Sequence, residues 1–549
     1  MAFSERTGSK IEIFIRCSQL VNLDYLTKSD PLCVLYTKHE ELWSECGRTE
    51  VINDTLDPQF STTFIVDYYL DELQPLKFEV YDVDSNSADL SSHDFIGEAQ
   101  VNLSNIILSS PELVKELRLP KSPQEKRGRI HLVGEEVIES KSVIRFDIAA
   151  RNVENKCSYL ESFIWNSSPF LELRRRNEDG SQLLLHKTEV VKNSANPHWT
   201  SFEIPSWKLC NSDYTRSIEF TCKHWKTFDT AVVIGRAFAS VEELLSQRVS
   251  TRNLVSSSSN DKRSGAGTLL FQSVSATPVY SFVDYLRGGC GLSVMVAVDF
   301  TSSNGDPNLP NSLHCNGPTP NAYVEAITSV GEILAEYDSD QKFPAWGFGA
   351  VLPVDTARTS HCFPLSGNMY SPEVHGVEGI LTAYRASLAS ARLSGPTLFS
   401  PILEAALRYV QSESVSQENQ TYNILLIVTD GVIHDMENTI DKIVEASDEA
   451  LSIIVVGVGN ADFSQMETLD ADTVPLTSST GRTMSRDIVQ FVSFRELRHR
   501  IGMDFSLARQ VLAEVPNQLV SFMKRRGITP NAAAAAAVPP TAGDGGYET

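Results

Sequence analysis

An internal repeat in the first half of the sequence limits the possible folds more than any other feature. "KSDPLCVLY" (28–36) is echoed by "NSSPFLELR" (166–174), "LDPQFSTTF" (56–64) by "ANPHWTSFE" (195–203), and "DFIGEA" (94–99) by "VVIGRA" (232–237). Pro31 and Gly97 are 66 positions apart, and so are Pro169 and Gly235. Chance matches do not keep both order and spacing, so the sequence predicts two copies of one domain.

The repeated region has the pattern of antiparallel β-sandwiches. Segments such as "KIEIFIRC", "PLCVLYTK" and "LKFEVYDV" are apolar or alternate between apolar and polar residues, and turn residues separate them. This pattern is typical of short strands in two packed antiparallel sheets. We therefore predict two all-β sandwiches, at residues 8–135 and 140–275, followed by a connector at 276–289.

Beyond the connector the hydrophobic pattern changes. "GLSVMVAVDF", "YNILLIVTDG" and "LSIIVVGVGN" are continuous apolar runs, as in strands buried on both faces of a parallel sheet. Amphipathic segments such as "FSPILEAALRYVQSE" lie between them, which predicts a doubly wound, Rossmann-like α/β domain at residues 290–527. The low-complexity residues 528–549 are expected to be a disordered tail.

The charge balance limits the partners of the chain. The 549 residues carry a formal net charge of −23, which argues against nucleic-acid binding, because such binding needs a basic face. For the same reason, contact with an anionic membrane must be limited to a small part of the surface, or it must be switched on. The nine cysteines form no CxxC pair, and the sequence shows no signal peptide and no apolar run of the roughly 20 residues that span a bilayer. These features predict a reduced, cytoplasmic protein.

Four aspartates gather within thirteen residues directly after an apolar strand, in "YDVDSNSADLSSHDFIG" (81–97). Carboxylates held this close repel each other unless a cation lies between them. With "SDP" and "DPQF" before it, this stretch resembles the C2 domain, whose loops bind calcium through aspartates. The resemblance implies a Ca²⁺ site with five ligands in the first repeat, and Asp89 is a weaker candidate. The five are Asp24, Asp30, Asp82, Asp84 and Asp94.

The C2 resemblance also implies how this site would act. Bound Ca²⁺ raises the local charge by two, so that the loops no longer repel lipid phosphate. Tyr25, Leu26 and Leu90 lie in these loops and are expected to contact lipid. The alternative is that Asp-rich loops are merely good turn formers.

The second repeat departs from this pattern at the ligand positions. They carry Ser168, then Cys222 with His224 or His224 with Lys226, depending on where a gap falls, and finally Val232. Asp229 is the acid that remains in this loop, so we predict no calcium site. Residues 174–176, all arginine, would suit constitutive binding of anionic lipid, and the alternative is an ordinary solvated hairpin beside Glu178 and Asp179.

Acidic and hydroxyl residues follow the apolar strands of the α/β region, where ligands bind in such sheets. "DFTSS" resembles the D-x-S-x-S metal motif of von Willebrand factor A domains. The resemblance implies a site formed by Asp299, Thr301, Ser303, Thr397 and Asp430. Two carboxylates and three hydroxyls suit Mg²⁺ or Mn²⁺. The alternative is that the two acids cap the helices that follow them.

The order of the three regions, with phrases such as "DFTSSNGDP", "HCFPLSGN" and "GPTLFSPIL", resembles the copine family over residues 8 to about 527. The resemblance implies a cytoplasmic adaptor that docks on anionic phospholipid membranes, such as the plasma membrane, when calcium rises. It also implies that the α/β domain recruits membrane-associated or signalling proteins. We expect such a partner to present an acidic residue to the metal.

An enzyme and a calcium-independent scaffold are the alternatives. The sequence contains no P-loop, no G-x-S-x-G, no kinase H-R-D set and no H-E-x-x-H. His361 and Cys362 are adjacent, but nothing marks them as a catalytic pair, and no positioned base accompanies the α/β metal motif. The complete aspartate sets argue against a scaffold without metals. We therefore predict a non-enzymatic protein.

Overall fold

A computed structural model of the chain describes most of its residues. The described ranges are 8–39, 42–85, 87–109, 111–137, 142–157, 166–176, 182–226, 231–246, 250–256, 266–470, 474–495 and 507–532. The chain divides into two compact units, one formed by residues 1–137 with 281–549 and the other by residues 138–280. The first unit therefore contains both the first sandwich and the α/β domain.

The first sandwich is built from eight antiparallel strands. They are β1 (Ser9–Ser18), β2 (Pro31–His39), β3 (Leu42–Arg48), β4 (Phe64–Tyr68), β5 (Pro75–Asp82), β6 (Asp94–Asn102), β7 (Leu113–Leu119) and β8 (Ser122–Glu136), with helix α1 (Leu103–Leu108) after β6. The hydrogen-bonded order is β3-β2-β5-β6-β7-β8-β1-β4. Alternation along β1 turns Ile11, Ile13 and Ile15 into the core. The predicted all-β fold is confirmed.

The second sandwich has two separate four-stranded sheets. Its elements are β9 (Ser142–Arg151), β10 (Pro169–Arg176), β11 (Gln182–Lys187), β12 (Phe202–Pro205), α2 (Ser206–Cys210), β13 (Ser217–His224), β14 (Val232–Ser240), α3 (Val241–Leu245), β15 (Thr251–Asn253) and β16 (Thr268–Pro278). The sheet orders are β11-β10-β13-β14 and β12-β9-β16-β15. Phe146, Phe220 and Phe271 pack edge to face in the core between the two sheets, at centroid distances of 6.3 and 5.2 Å.

The α/β domain is organised around five parallel strands. Its strands are β17 (Gly291–Asp299), β18 (Lys342–Phe348), β19 (Ala350–Leu352), β20 (Asp355–Ser360), β21 (Phe363–Pro364), β22 (Glu373–His375), β23 (Arg392–Leu393), β24 (Thr421–Thr429), β25 (Leu451–Gly457) and β26 (Val489–Ser493). The parallel order is β18-β17-β24-β25-β26, while β21 and β22 pair with β18 in antiparallel fashion and β20-β19-β23 form a small separate sheet. The α/β fold is confirmed, and the short antiparallel strands were not predicted.

Helices accompany the parallel strands of this domain. They are α4 (Phe282–Arg287), α5 (Ala322–Ala335), α6 (Gly376–Ser390), α7 (Ser400–Glu413), α8 (Met436–Ala446), α9 (Ser464–Leu469), α10 (Leu507–Val511) and α11 (Val515–Arg526). Residues 298 and 428 are neighbours across β17 and β24. Both strands run in the same direction, so Asp299 at the end of β17 and Asp430 just after β24 lie at the same edge of the sheet.

The predicted connector and the start of the predicted tail are both structured. Helix α4 begins with a capping box, in which Ser281 Oγ accepts from the Asp284 N–H. The Tyr285 hydroxyl donates to the Ile528 carbonyl at 2.9 Å, and Ile528 is buried. The prediction of disorder from residue 528 is therefore wrong for 528–532, and for 533–549 it lies outside the described residues.

Polar contacts join the first sandwich to the α/β domain within the first unit. The hydroxyls of Tyr68 and Tyr337 lie 2.8 Å apart, and both side chains are buried. Asn105 Nδ2 donates to Glu336 Oε2 at 3.0 Å, and Ser281 hydrogen-bonds Glu136. A buried hydroxyl pair of this kind is costly to separate, because each partner would lose its hydrogen bond.

Candidate metal centres

Strand register brings three of the five predicted calcium ligands to one end of the first sandwich. Asp82 ends β5, where it pairs with Pro31 at the start of β2 and with Asp94 at the start of β6. Asp30 directly precedes Pro31, and its N–H donates to Asp82 Oδ1 at 2.6 Å. Loop residues from three strand ends therefore meet around the Asp82 carboxylate.

The Asp82 carboxylate is the buried centre of this cluster. The residue is 2% exposed, and its Oδ2 atom is buried with no hydrogen-bond partner among the described residues. Burial raises the pKa of Asp82, and the charges of Asp24 and Asp84 raise it further. A buried oxygen without a partner, surrounded by negative charge, is suited to a cation.

The other predicted ligands are held by local hydrogen bonds. Asp24 Oδ2 accepts from Thr27 Oγ1 at 2.9 Å, and Asp84 Oδ2 accepts from the Asp94 N–H at 3.2 Å. Across the part of the chain that the structure describes, no group of three or more His, Cys, Asp or Glu side chains is gathered closely enough to hold a metal ion. The aspartates thus lie on neighbouring loops, but their carboxylates are not close enough together to bind one ion in this conformation.

Asp54 is a residue of this site that the sequence analysis missed. Its N–H donates to Asp30 Oδ1 at 2.7 Å, and its own Oδ1 accepts from the Lys28 N–H at 2.9 Å. The residue adopts a left-handed conformation with φ of 55°. The Asn-Asp pair at 53–54 signalled only a turn. Asp54 fixes the orientation of Asp30 from the loop between β3 and β4.

Two of the three predicted lipid-contacting residues are fully exposed. Tyr25 is 100% and Leu26 is 94% exposed, at the tip of the loop that carries Asp24. Leu90 is only partly exposed, and it begins a short 3₁₀ turn at Leu90–Ser92. Asp89 caps that turn by accepting from the Ser91 N–H at 3.0 Å, and this hydrogen bond lowers the pKa of Asp89. Leu90 therefore offers less apolar surface than predicted.

Strand register aligns the second sandwich with the first at the ligand positions. Pro169 pairs with His224 just as Pro31 pairs with Asp82. The Ser168 N–H donates to His224 Nδ1 at 3.0 Å, in the place of the bond between Asp30 and Asp82. His224 and Lys226 therefore correspond to the two aspartates of the D-x-D motif. An imidazole and an ammonium group at these positions do not suit Ca²⁺. Asp229 lies outside the described residues.

Arg174, Arg175 and Lys223 of the second sandwich are engaged within the protein. Arg174 and Lys223 both form ion pairs with Glu172, at 2.8 and 2.7 Å. Arg175 donates to the carbonyls of Trp207 and Lys208 at 3.0 Å. These contacts make Arg174 and Arg175 less available to lipid, while the side chain of Arg176 and the predicted hairpin residues Glu178 and Asp179 lie outside the described residues.

In the α/β domain, hydrogen bonds link four of the five predicted ligands. Asp299 is fully buried, and its Oδ1 accepts from the Thr301 N–H at 2.8 Å. Thr301 Oγ1 lies 3.0 Å from Ser303 Oγ, and Ser303 Oγ donates to Asp430 Oδ1 at 2.9 Å. The two loops that follow β17 and β24 therefore share one continuous set of oxygens.

Thr397, the fifth predicted ligand, faces the same space. A Cβ atom built on Gly431 would lie 3.3 Å from Thr397 Oγ1 and 3.9 Å from Ser303 Oγ. The Thr397 carbonyl also accepts from the His434 N–H at 3.0 Å, which holds its segment against the loop after β24. All five predicted residues are thus brought together, and a glycine at 431 keeps the space in front of them open.

Two further residues of this site were not predicted. Thr429 Oγ1 donates to Asp299 Oδ2 at 2.5 Å, so both oxygens of Asp299 accept hydrogen bonds. Gly349, at φ of 83°, lies against Thr301, because a Cβ there would come within 2.4 Å of Thr301 Cγ2. In the sequence Thr429 has the pattern of a strand residue, and only its position next to Asp430 indicated that it could belong to the site.

The electrostatics of the α/β site fit a hard divalent cation. Burial raises the pKa of Asp299, and burial together with the charge of Asp299 raises the pKa of Asp430 to about 7. Among the described residues, neither carboxylate forms an ion pair with lysine or arginine. Two unpaired buried carboxylates with three hydroxyls are the donor set that Mg²⁺ prefers.

Comparison with known protein families identifies all three domains. The family model described as C2 domain matches residues 11–119 and 147–254, and the model described as Copine matches residues 312–531. The chain belongs to the copine family. As a copine with two C2 domains, it is a membrane-associated adaptor.

Solved structures of C2 domains are similar to parts of this copine. "BON1-C2B" is 20% identical and covers 25% of this chain and 94% of that chain, with a TM-score of 0.22. "Extended-Synaptotagmin 2, C2A- and C2B-domains" is 16% identical and covers 51% of this chain and 95% of that chain, with a TM-score of 0.21. The C2A domain of a plant extended synaptotagmin 1 is 19% identical and covers 25% and 100%, with a TM-score of 0.21.

None of the described helices of this copine combines the length and the apolar character needed to cross a bilayer.

Proposed function

We propose that this copine docks on anionic phospholipid membranes when calcium rises, and that its first C2 domain provides the calcium site. The observation that carries the proposal is the Asp82 carboxylate, which is buried, has an oxygen without a hydrogen-bond partner, and lies in the field of Asp24 and Asp84. Such a cluster is destabilising by itself, because burial and like charges both disfavour its ionised form.

Bound Ca²⁺ would supply two positive charges and free coordination positions for lipid oxygens. The five aspartates of this domain would hold the ion, with Asp54 fixing Asp30. Tyr25 and Leu26 are exposed beside the acids, so they would enter the headgroup layer once the loops no longer repel lipid phosphate. Calcium thus converts a repulsive surface into an adhesive one.

The second C2 domain is assigned no calcium site in this proposal. His224 and Lys226 occupy the places of Asp82 and Asp84, and Ser168 occupies that of Asp30. The calcium response of the protein then rests on one domain, and any lipid contact by the second would be independent of calcium.

We further propose that the α/β domain recruits protein partners through a bound Mg²⁺ or Mn²⁺. Asp299 and Asp430 nearly balance the charge of a divalent ion, so an incoming carboxylate is attracted rather than repelled. Five oxygen ligands, direct or through water, leave a position on an octahedral ion for that carboxylate. The partner would therefore be a membrane-associated or signalling protein that presents an exposed aspartate or glutamate.

Two observations support a non-enzymatic, cytoplasmic protein. Burial raises the pKa of the Cys362 thiol to about 11 and lowers the pKa of His361, so this adjacent pair lacks the thiolate that a nucleophilic cysteine needs. All nine cysteines are free, which suits a reducing compartment.

The calcium proposal is tested by liposome sedimentation of the full chain. Wild type should sediment with phosphatidylserine liposomes in calcium and stay in solution in EGTA. Asp82→Asn with Asp84→Asn should stay in solution in both. Asp67→Asn is the matched control, because Asp67 is an exposed acid on β4. Calcium-driven sedimentation of the double variant at the wild-type level would overturn the assignment.

The recruitment proposal is tested by a pull-down from lysate with wild type and Asp299→Ala, each with and without EDTA. Wild type without EDTA should recover proteins that the other three samples lose. The same proteins in all four samples would show that the metal centre is not the recruiting surface.

A further inference from the structure

A pocket opens directly beside the metal centre of the α/β domain. It has a volume of about 630 Å³, which lies within the roughly 300–1,000 Å³ typical of ligand pockets. Ser302 is among its lining residues, and it lies in the sequence between Thr301 and Ser303, two residues of the candidate metal site. The pocket is therefore continuous with the loop that would hold the ion.

Two basic residues also line the pocket. Arg385 from α6 and Arg392 from β23 both line it, and both are exposed. Arg392 forms no hydrogen bond or ion pair through its side chain with any described residue, and Arg385 has only a long contact of 3.7 Å with exposed Glu378. An exposed pair of that kind contributes little, so both guanidinium groups remain available for a ligand.

The rest of the lining favours a peptide over a small ion. Leu388 and Leu393 provide apolar surface, and Asn321 provides a side-chain amide. The acid in the pocket, Asp306, is already engaged, because its Oδ1 accepts from the N–H and the Nδ2 of Asn308 at 3.0 and 2.9 Å. In a chain with a net charge of −23, two available arginines beside a cation site are a marked local exception.

We propose that this pocket binds a second acidic side chain of the recruited partner, so that the site recognises an acidic pair in one extended segment. One carboxylate reaches the metal, and the other pairs with Arg385 and Arg392. The apolar surface between them receives the intervening residues. This inference rests on the proposed metal-dependent recruitment and adds its specificity: a partner with a single exposed acid binds weakly, and one with a correctly spaced pair binds tightly.

The test uses the full-length protein and fluorescein-labelled Gly-Ser peptides, with binding measured by fluorescence anisotropy in Mg²⁺ and in EDTA. One peptide carries a single aspartate, and the others carry two aspartates separated by about two to six residues, which covers roughly 7–20 Å of extended chain. We expect one spacing to bind up to about fivefold tighter than the single aspartate, the gain from one solvent-exposed ion pair of up to about 1 kcal/mol.

Two arginine substitutions test whether the tighter binding of the paired peptide depends on the pocket. Arg385→Gln with Arg392→Gln should remove the advantage of the paired peptide and leave single-aspartate binding unchanged. Arg408→Gln is the matched control, because Arg408 is an exposed arginine of α7 that pairs with Glu404. All three replaced side chains are exposed, so thermal unfolding should be unaffected in each variant.

The outcomes separate this inference from the recruitment proposal. Equal binding of all peptides by wild type, or a paired-peptide advantage that survives the double variant, overturns the inference while leaving metal-dependent binding intact. Arginine-dependent binding of the paired peptide that persists in EDTA or in Asp299→Ala supports the pocket and overturns metal-dependent recruitment. Arginine-dependent binding of inorganic phosphate without binding of any paired peptide overturns the inference in favour of a small-anion site.

Discussion

Replacing Asp430 with asparagine measures how much the proposed metal site lowers the free energy of unfolding of the α/β domain when no ion is bound. Burial and the charge of Asp299 raise the pKa of Asp430 from 3.8 to about 7. The folded protein then binds this proton more tightly than the unfolded chain does. The folded state therefore loses stability as the pH rises from about 4 to about 7, and above that range the full cost is present.

The size of this cost follows from the same pKa values. Each pKa unit corresponds to about 1.4 kcal/mol, so the change from 3.8 to about 7 corresponds to roughly 4 kcal/mol at pH 8. Solvent at the mouth of the site screens part of it, which leaves about 2 to 4 kcal/mol. The substitution Asp430→Asn removes the charge and keeps an acceptor for the Ser303 hydroxyl. It should stabilise the metal-free domain by this amount at pH 8 and by less than about 1 kcal/mol at pH 4.

The assay is urea unfolding in EDTA, monitored by hydrogen exchange of peptides from β17 and β24 so that the sandwiches do not contribute. Adding Mg²⁺ at about 1,000 times its Kd should at least cancel this advantage, because the bound ion stabilises wild type by about 4.1 kcal/mol and the variant has lost a ligand. A variant no more stable than wild type at pH 8 in EDTA would refute the reasoning. An equal gain in stability at pH 8 and at pH 4 would also refute it.

Three further predictions follow from the same contacts. Tyr25→Ser with Leu26→Ser should weaken calcium-dependent liposome binding about tenfold or more, because each side chain buried in the membrane contributes up to roughly 1.5–3 kcal/mol. Ile65→Ser, at an exposed position on β4, should leave this binding unchanged. Equal effects of the two changes would contradict membrane insertion of the loop tip. The isolated unit 138–280 should give no calcium-binding heat in titration calorimetry, and a saturable calcium signal there would refute the alignment of His224 with Asp82. Thr429→Val should destabilise the metal-free α/β domain by about 1–3 kcal/mol in the urea assay, because a buried Asp299 oxygen loses its donor, and an unchanged stability would exclude that role.

Much of the fold could be predicted because the hydrophobic pattern of the sequence is periodic. The repeat and the alternating strands predicted the two sandwiches, and the continuous apolar runs predicted the parallel strands of the α/β domain. Asp299 and Asp430 could be placed together in advance, because the carboxyl ends of neighbouring parallel strands meet at one edge of a sheet. Thr301, Ser303 and Thr397 were predicted from the resemblance to von Willebrand factor A domains.

Other features depend on pairing or on tertiary contacts and were not readable in advance. The gap in the loop after β13 could be placed only once Pro169 was seen to pair with His224. Leu90 begins a short turn that Asp89 caps, and this turn depends on backbone geometry. The contact between Tyr68 and Tyr337 joins residues far apart in the chain, and neither residue stands out in its local pattern.

The proposed function assigns separate tasks to two metal sites in two domains, and one pair of measurements tests this division. Asp82→Asn with Asp84→Asn, and separately Asp299→Ala, are each measured for calcium-dependent liposome sedimentation and for Mg²⁺-dependent binding of the aspartate peptides. The first variant should lose lipid binding and keep peptide binding, and the second should do the reverse. Loss of both activities in either variant, or of neither in both, would contradict it.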